Sequence, residues 1–254
     1  MKYDLVILDP HVSTGQSFDR FKWLNKMIRA APDEIANIIC VGDYASMDSL
    51  SSHSQPGSKT DRNKPTLQEE FDAIKESQAI LFNKCPVLRK NRHMAKGNHE
   101  HRFNRWAENN PIVASAIKYD VATGFTEHWG HVREYGDYLS IRGVDYTHVP
   151  FNGMGRPISG VGRTRSVALQ ASASTVFGHS HNMQFSSVPL IGPNNRIRCA
   201  LSGPAFQDQD TVADYAKNTQ SGWNYGVLKI LPLGETKGCG FHWITMKELE
   251  FYYG

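Results

Sequence analysis

The feature that most constrains this chain is a repeated juxtaposition: short apolar runs that stop abruptly at Asp, Asn or His. Leu5-Val6-Ile7-Leu8 stops at Asp9-Pro10-His11, Ile35 to Val41 at Gly42-Asp43, and Thr175-Val176-Phe177 at Gly178-His179-Ser180-His181. An apolar run this short, without alternation, predicts a strand covered on both faces. Between the first two runs, Ser17 to Ala31 carries Phe18, Phe21, Leu24 and Ile28 at helical spacing and is closed by Pro32. Strand, helix and strand in so short a span make a βαβ unit with parallel strands.

The pattern continues with gaps. A polar stretch from Tyr44 to Pro65, with Pro56-Gly57 inside it, reads as a mobile loop beside whatever site the first strands form. Leu67 to Phe82 is helical, Val87 to Lys96 is a third strand leading to Gly97-Asn98-His99-Glu100, and residues 101–120 are mostly helical. The second half is rich in strands: Tyr138–Ile141, Val144–His148, Thr175–Gly178, Gln184–Val188, Ile197–Leu201, Tyr225–Leu231 and Phe241–Thr245, with helices at Thr164–Ala171 and Thr211–Lys217. Parallel βαβ units followed by a strand-rich half predict two packed sheets with helices outside.

Length and charge set the remaining bounds. The 254 residues suit one large domain or two small ones and can bury a core without disulfides. A net charge of +3 is compatible with an anionic substrate, and too weak to mark a nucleic-acid binder by itself. The four cysteines, Cys40, Cys85, Cys199 and Cys239, form no CxxC pair, and Cys40 lies in an apolar run, so buried reduced thiols and a cytoplasmic setting are expected. Leu5 to Leu8 is too short for a signal peptide or a membrane span, so no membrane association is expected.

The residue types at the strand ends define a chemistry. Carboxylate, imidazole and amide oxygen without thiolate suit Mn²⁺, Fe or Zn²⁺. Asp9 and His11 are two residues apart, as are His179 and His181, and on an extended backbone such pairs face the same way. In open α/β sheets the carboxyl ends of strands are where sites form.

The ordered set Asp9-Pro10-His11, Gly42-Asp43, Gly97-Asn98-His99-Glu100, His148 and Gly178-His179-Ser180-His181 resembles the calcineurin-like metallophosphoesterase superfamily, in its compact bacterial and phage form. The resemblance spans residues 9–181. It implies a four-layer α/β/β/α sandwich of two mixed sheets flanked by helices, formed by one domain over residues 1–254. It also implies two divalent ions, Mn²⁺ in the first place and Fe, Zn²⁺ or Ni²⁺ otherwise. Asp9, His11 and His181 would hold the first ion, Asn98, His148 and His179 the second, and Asp43 would bridge them. His99 would assist the leaving group and Glu100 would orient His99. The implied reaction is hydrolysis of a phosphate ester by metal-activated hydroxide.

The chain departs from the superfamily's Ser/Thr protein phosphatases: Gly42-Asp43-Tyr44-Ala45-Ser46 lacks their second-motif arginine, and Lys96 stands where they carry arginine. It leaves no room for the separate capping domain of the superfamily's repair nucleases. Basic residues gather near the motifs, at Arg89, Lys90, Arg92, His93 and Lys96, at His101, Arg102 and Arg105, and at Arg156, Arg163 and Arg165. They form either a solvated face or a grip on a polyanion, with Arg102, Arg156 and Arg163 as candidate substrate contacts. Tyr44, Trp106 and Phe151 are candidates to stack a base, with core packing the alternative for Trp106. Three functions stay open: a phosphodiesterase acting on a nucleic acid or a small cyclic nucleotide, a phosphomonoesterase, protein phosphatases included, and a non-catalytic binding module.

Overall fold

A computed structural model describes residues 1–52, 54–192, 196–208, 222–234 and 237–254. The first sheet begins with β1 (Tyr3–Ile7) and β2 (Ile35–Val41), joined by α1 (Asp19–Ala30). After α2 (Lys59–Arg62) and α3 (Leu67–Leu81) come β3 (Arg92–Ala95), α4 (His101–Asn109), α5 (Pro111–Ala114), α6 (Tyr119–Ala122), α7 (Phe125–His128) and β4 (His131–Arg133). The second sheet is built from β5 (Leu139–Ile141), β6 (Val144–Thr147), β7 (Ser174–Phe177), β8 (Gln184–Pro189) and β9 (Ile197–Ser202), with α8 (Arg163–Gln170) between β6 and β7. The chain then returns to the first sheet with β10 (Gly226–Pro232) and β11 (Cys239–Thr245) and ends in α9 (Met246–Tyr253).

The strand orders are β11-β10-β1-β2-β3-β4 and β5-β6-β7-β9-β8. β1 to β4 are parallel neighbours, β10 and β11 add antiparallel, and β6, β7 and β9 are parallel in the second sheet. Alternation along the central strands builds the layers. Leu5, Ile7, Ile38 and Cys40 face α1, α3 and α9, where Phe21, Leu24, Ile74 and Leu249 meet them. Val6, Leu8, Ile39 and Val41 face Val144, Tyr146, Val176 and Leu201 of the second sheet. On that sheet's far side, Phe177 and Ala200 pack on Val167 and Ala168 of α8. The result is a four-layer α/β/β/α sandwich. Each buried aliphatic side chain in these layers contributes roughly 1.5–3 kcal/mol relative to exposure.

Local chemistry explains the element boundaries. α3 starts at a reciprocal cap: Glu69 N–H donates to Thr66 Oγ1 at 3.2 Å, and Thr66 N–H donates to the Glu69 carboxylate at 2.7 Å. α9, which the hydrophobic pattern did not predict, starts on the same device at Thr245 and Glu248. The third strand is shorter than expected. Residues Arg89–Asn91 form a 3₁₀ turn, and the Arg92 guanidinium folds back on the Val87 carbonyl at 2.7 Å. The proposed helix at Thr211–Lys217 lies outside the described residues.

The stretch expected to be a mobile loop begins as core. Tyr44 is fully buried, its ring packs against Phe21, Phe125 and Trp129, and its hydroxyl sits 3.0 Å from Ser77 Oγ. It cannot stack a substrate base, which corrects the expectation. Further on, a 3₁₀ turn (Asp48–Leu50) and α2 break up the stretch, and Lys64 ties back to the Ser51 carbonyl at 2.7 Å.

At the amino-terminal edge of the interlayer a buried polar group fastens the two sheets. Asp4 of β1 accepts from Asn37 Nδ2 at 2.8 Å, from Arg142 at 3.0 Å and from the Tyr146 hydroxyl at 3.2 Å. Arg142-Gly143, with φ of 53° and 81°, is the two-residue turn of the β5–β6 hairpin, a conformation matched to right-twisted strands. No helix among the described residues is long and apolar enough to cross a membrane.

Candidate metal centre

Because β1, β2 and β3 are parallel, their carboxyl ends share one edge, and β6 and β7 deliver theirs beside it. Main-chain bonds knit the loops together. His11 N–H donates to the Asp43 carbonyl at 2.8 Å, Gly178 N–H to the His148 carbonyl at 3.1 Å, and Phe206 N–H to the Leu8 carbonyl at 2.7 Å. The residues do not reach the centre on extended backbone, as the two-residue spacing had implied. Asp9, His11, Asp43, His179 and His181 all have positive φ, between 45° and 71°. At the ends of β1, β2 and β7 the chain turns in the left-handed region, which Asp and His tolerate better than most residues, and strain of this kind gathers at functional sites.

Gly42, Gly97 and Gly178 are explained by the same crowding. A Cβ on Gly42 would collide with the His148 ring, and one on Gly97 with the Asp43 carboxylate. One on Gly178 would stand 2.6 Å from Asp9 Oδ2.

The side chains converge. His11 Nε2 and His181 Nε2 are 3.2 Å apart, and His181 Nε2 is 3.7 Å from Asp9 Oδ1. His148 Nε2 is 3.1 Å from Asp43 Oδ2 and 2.9 Å from Asn98 Oδ1. Asp43 Oδ2 also lies 3.7 Å from His11 Nε2 and 3.8 Å from His99 Nε2. Three groups keep their ligand atoms within 4.8 Å of one another: Asp9, His11 and His181; His11, Asp43 and His99; Asp43, His148 and His179. These groups fit metal ions. Nitrogen and oxygen lone pairs face each other across a short gap, and His181 Nδ1 is buried without a hydrogen-bond partner, unlike an imidazole serving only as a structural link.

The electrostatics of His11, His179 and Asp43 agree with that reading, and His148 is the exception. Burial, then His99, holds the His11 pKa well below the usual value; burial, then His148, lowers that of His179. Neutral imidazole is the form that binds a cation. Burial opposes the charge on Asp43, but the surrounding histidines, His148 first, outweigh it and keep the carboxyl well below the ordinary range. Burial likewise works against protonating His148, yet Asp43 and Asp9 lift it to about 9.

Around the cluster the roles differ from expectation. Glu100 does not touch the His99 ring. Its carboxylate accepts from Ala45 N–H at 2.7 Å and from Gly97 N–H at 2.6 Å, which clamps the second motif to the third. Burial, then Asp43, raises its pKa to about 7. His99 is held instead by the Ser46 carbonyl at Nδ1, 2.8 Å, and by the Arg102 guanidinium at Nε2, 3.2 Å. Arg102 is buried and also donates to the carbonyls of Ser46 and Met47. Arg163 is buried too, engaged with the Gly160 carbonyl, Asn182 and Ser202, beside a pocket of about 80 Å³ lined by His148, His179 and Ser180. Arg156 is exposed on a turn closed by Asn152. Trp106 packs against the core at Phe103, and Phe151 stands 5.8 Å from the ring of Tyr135, which borders His148.

Two neighbours escaped sequence reasoning. Trp223 sets its ring 4.2 Å from that of His181, and Tyr135 stands 6.3 Å from His148. Neither is part of a motif; Trp223 is delivered by a main-chain bond from Asn224 N–H to the His181 carbonyl. A roomier hollow of about 640 Å³ between α1 and α3 is lined by Asp19, Glu69, Asp72 and Glu76, an acidic wall that would repel a phosphate.

Comparison with known proteins adds little. No protein-family model matches the chain, and no curated protein matches it. Among solved structures, it is similar to a conserved uncharacterized protein of Streptococcus pneumoniae TIGR4, described as a predicted phosphoesterase. The match covers 96% of this chain and 98% of that one, at 10% identity and a TM-score of 0.37. At that level of likeness, any functional reading rests on the site alone.

Proposed function

We propose that the chain is a dinuclear-metal phosphoesterase that cleaves phosphodiesters. The observation that carries this reading is the position of Asp43, whose Oδ2 lies within 3.8 Å of imidazole nitrogens from three separate loops, those of His11, His99 and His148. A carboxylate so placed can serve two cations at once. Asp9, His11 and His181 would hold one ion and Asn98, His148 and His179 the other. Bound there, the ions would activate water and neutralise charge on the phosphoryl oxygens.

The chain's own residues do the rest. With Nδ1–H donated to Ser46, neutral His99 turns its Nε2 toward Asp43, and Arg102 fixes that face of the ring. Glu100 keeps the Asp43 and Asn98 turns in register. A diester is favoured over a monoester because the second negative charge of a monoester calls for a further free cation. The guanidiniums of Arg102 and Arg163 are already committed to carbonyls.

The test is hydrolysis of bis(4-nitrophenyl) phosphate and 4-nitrophenyl phosphate by protein stripped with chelator and reloaded with Mn²⁺. Activity should vanish on stripping, return with Mn²⁺ and favour the diester. Full activity in protein shown metal-free by elemental analysis would overturn the reading, and a preference for the monoester would overturn its diester part.

A further inference from the structure

Resting on the phosphodiesterase reading, we propose that Tyr135, with Phe151 and His101 around it, forms a stacking platform for a nucleobase next to the scissile phosphate. The substrate class is then a nucleotide diester rather than a sugar or lipid phosphate.

Tyr135 is delivered to the cluster by β4, a strand of three residues. β4 runs parallel to β3, so its carboxyl end arrives at the ligand-bearing edge. There the chain is pinned: Lys96 N–H donates to the Arg133 carbonyl at 2.9 Å, and Lys96 Nζ meets Glu134 at 2.7 Å. Asp137 N–H closes a turn on the Glu134 carbonyl at 3.0 Å. Tyr135 sits inside this turn, half-buried.

Its ring centroid lies 5.8 Å from Phe151, 5.3 Å from His101 and 6.3 Å from His148. Tyr135, Phe151 and His101 belong to none of the hydrophobic core clusters, and each is partly exposed. Aromatic rings left out of the core, beginning one ring from a residue of the metal cluster, are placed where the group esterified to a bound phosphate must lie. Cations flank them. Arg105 follows His101 by one turn of α4, so both share a face, and exposed Arg156 stands five residues after Phe151 on the hairpin closed by the Phe151–Pro157 bridge. Rings that take a base face, with cations beside them for neighbouring phosphates, are the recognition chemistry of single-stranded nucleic acid and its fragments.

The experiment compares kcat/KM of the Mn²⁺-loaded enzyme for a thymidine dinucleotide and for methyl 4-nitrophenyl phosphate, in wild type, Tyr135→Ala and Tyr135→Phe. The ratio of the two values should fall roughly tenfold in Tyr135→Ala and be kept in Tyr135→Phe. An equal loss on both substrates, or no loss on either, overturns the platform. Binding separates this proposal from the hydrolytic one. Calorimetric titration of the same Mn²⁺-loaded proteins with thymidine 5′-monophosphate and with ribose 5-phosphate should show a nucleoside preference that Tyr135→Ala loses, even if no ester is hydrolysed. Equal affinity of the wild type for the two ligands also overturns it. Thermal melts of both variants show whether a loss is one of folding.

Discussion

Two buried polar groups sit at opposite edges of the same interlayer, and they are built on opposite principles. At the amino-terminal edge, Asp4 is surrounded by donors: an amide, a guanidinium and a hydroxyl fill its lone pairs. At the carboxyl-terminal edge two carboxylates and five imidazoles crowd together: Asp43 accepts from His99 N–H and Asp9 from His179 N–H, but ring nitrogens such as those of His11 and His181 face one another, and one ring nitrogen is left unpartnered. The first group is complete without any ligand and joins the sheets. The second gathers groups that could hold a metal ion. Burial alone therefore does not mark a site; the balance of donors to acceptors does.

The comparison breaks most sharply on charge removal. Asp43→Asn should lower diester hydrolysis on the order of 10³-fold, since several kcal/mol of charge stabilisation would depend on the cations it is proposed to hold. The variant should still fold without metal, since Asp43 lies at a strand end outside the hydrophobic core clusters. Hydrolysis within tenfold of wild type would mean that Asp43 is not the hub. Asp4→Ala should do the reverse, costing about 3 kcal/mol in urea unfolding because Arg142, Asn37 and Tyr146 lose their acceptor together. Its kcat should stay normal wherever the variant is folded, and a collapsed kcat with an intact fold would show that the two edges communicate.

Metal should stabilise one edge only. At Mn²⁺ a hundredfold above its dissociation constant, wild type should melt roughly 5 °C or more higher than in chelator, and Asp4→Ala should gain as much. Asp43→Asn should gain little. An equal gain in all three would place the ion elsewhere.

The smallest effect concerns His93, which meets Asn37 at 3.3 Å and stacks on His131 with rings 4.8 Å apart. Burial, then His131, lowers its pKa from 6.5 to about 4. The unfolded chain therefore takes up this proton first as pH falls. The contribution to stability is whole above about pH 6.5 and is lost as pH drops toward 4. In urea unfolding between pH 7.5 and 4.5, His93→Gln should show a shallower decline than wild type; identical slopes would assign the loss to other groups.

How much of this was legible in the sequence differs between the two edges. The proposed ligand residues stood out because most follow an apolar run, and a strand end is a fixed place in a parallel sheet. Asp4 did not, since a single acid at the head of a strand has no local signature and its partners lie 33 to 142 residues away. β4 was invisible for a similar reason. Its three residues are largely solvent-facing, so no hydrophobic period marks them, and Tyr135 went unnoticed with it. α9 is marked in the sequence by a capping box, Thr245-Met246-Lys247-Glu248, and not by hydrophobic spacing. Glu100 shows the limit of reading neighbours in sequence as neighbours in space: its carboxylate serves the backbone of Ala45, 55 residues away, and not the ring beside it.

The motif glycines have a consequence for how the edge can change. At residues 42, 97 and 178 the wall behind a ligand is bare main chain, so the clearance there is set by peptide planes rather than by side chains that can rotate away. A single methyl group at any of these positions displaces His148, Asp43 or Asp9 respectively. In a saturation scan of this protein, these glycines should tolerate as few replacements as the residues they shelter. Variation that re-tunes the site must come from the outer rings, such as Tyr135 and Trp223, where a side chain is only partly buried.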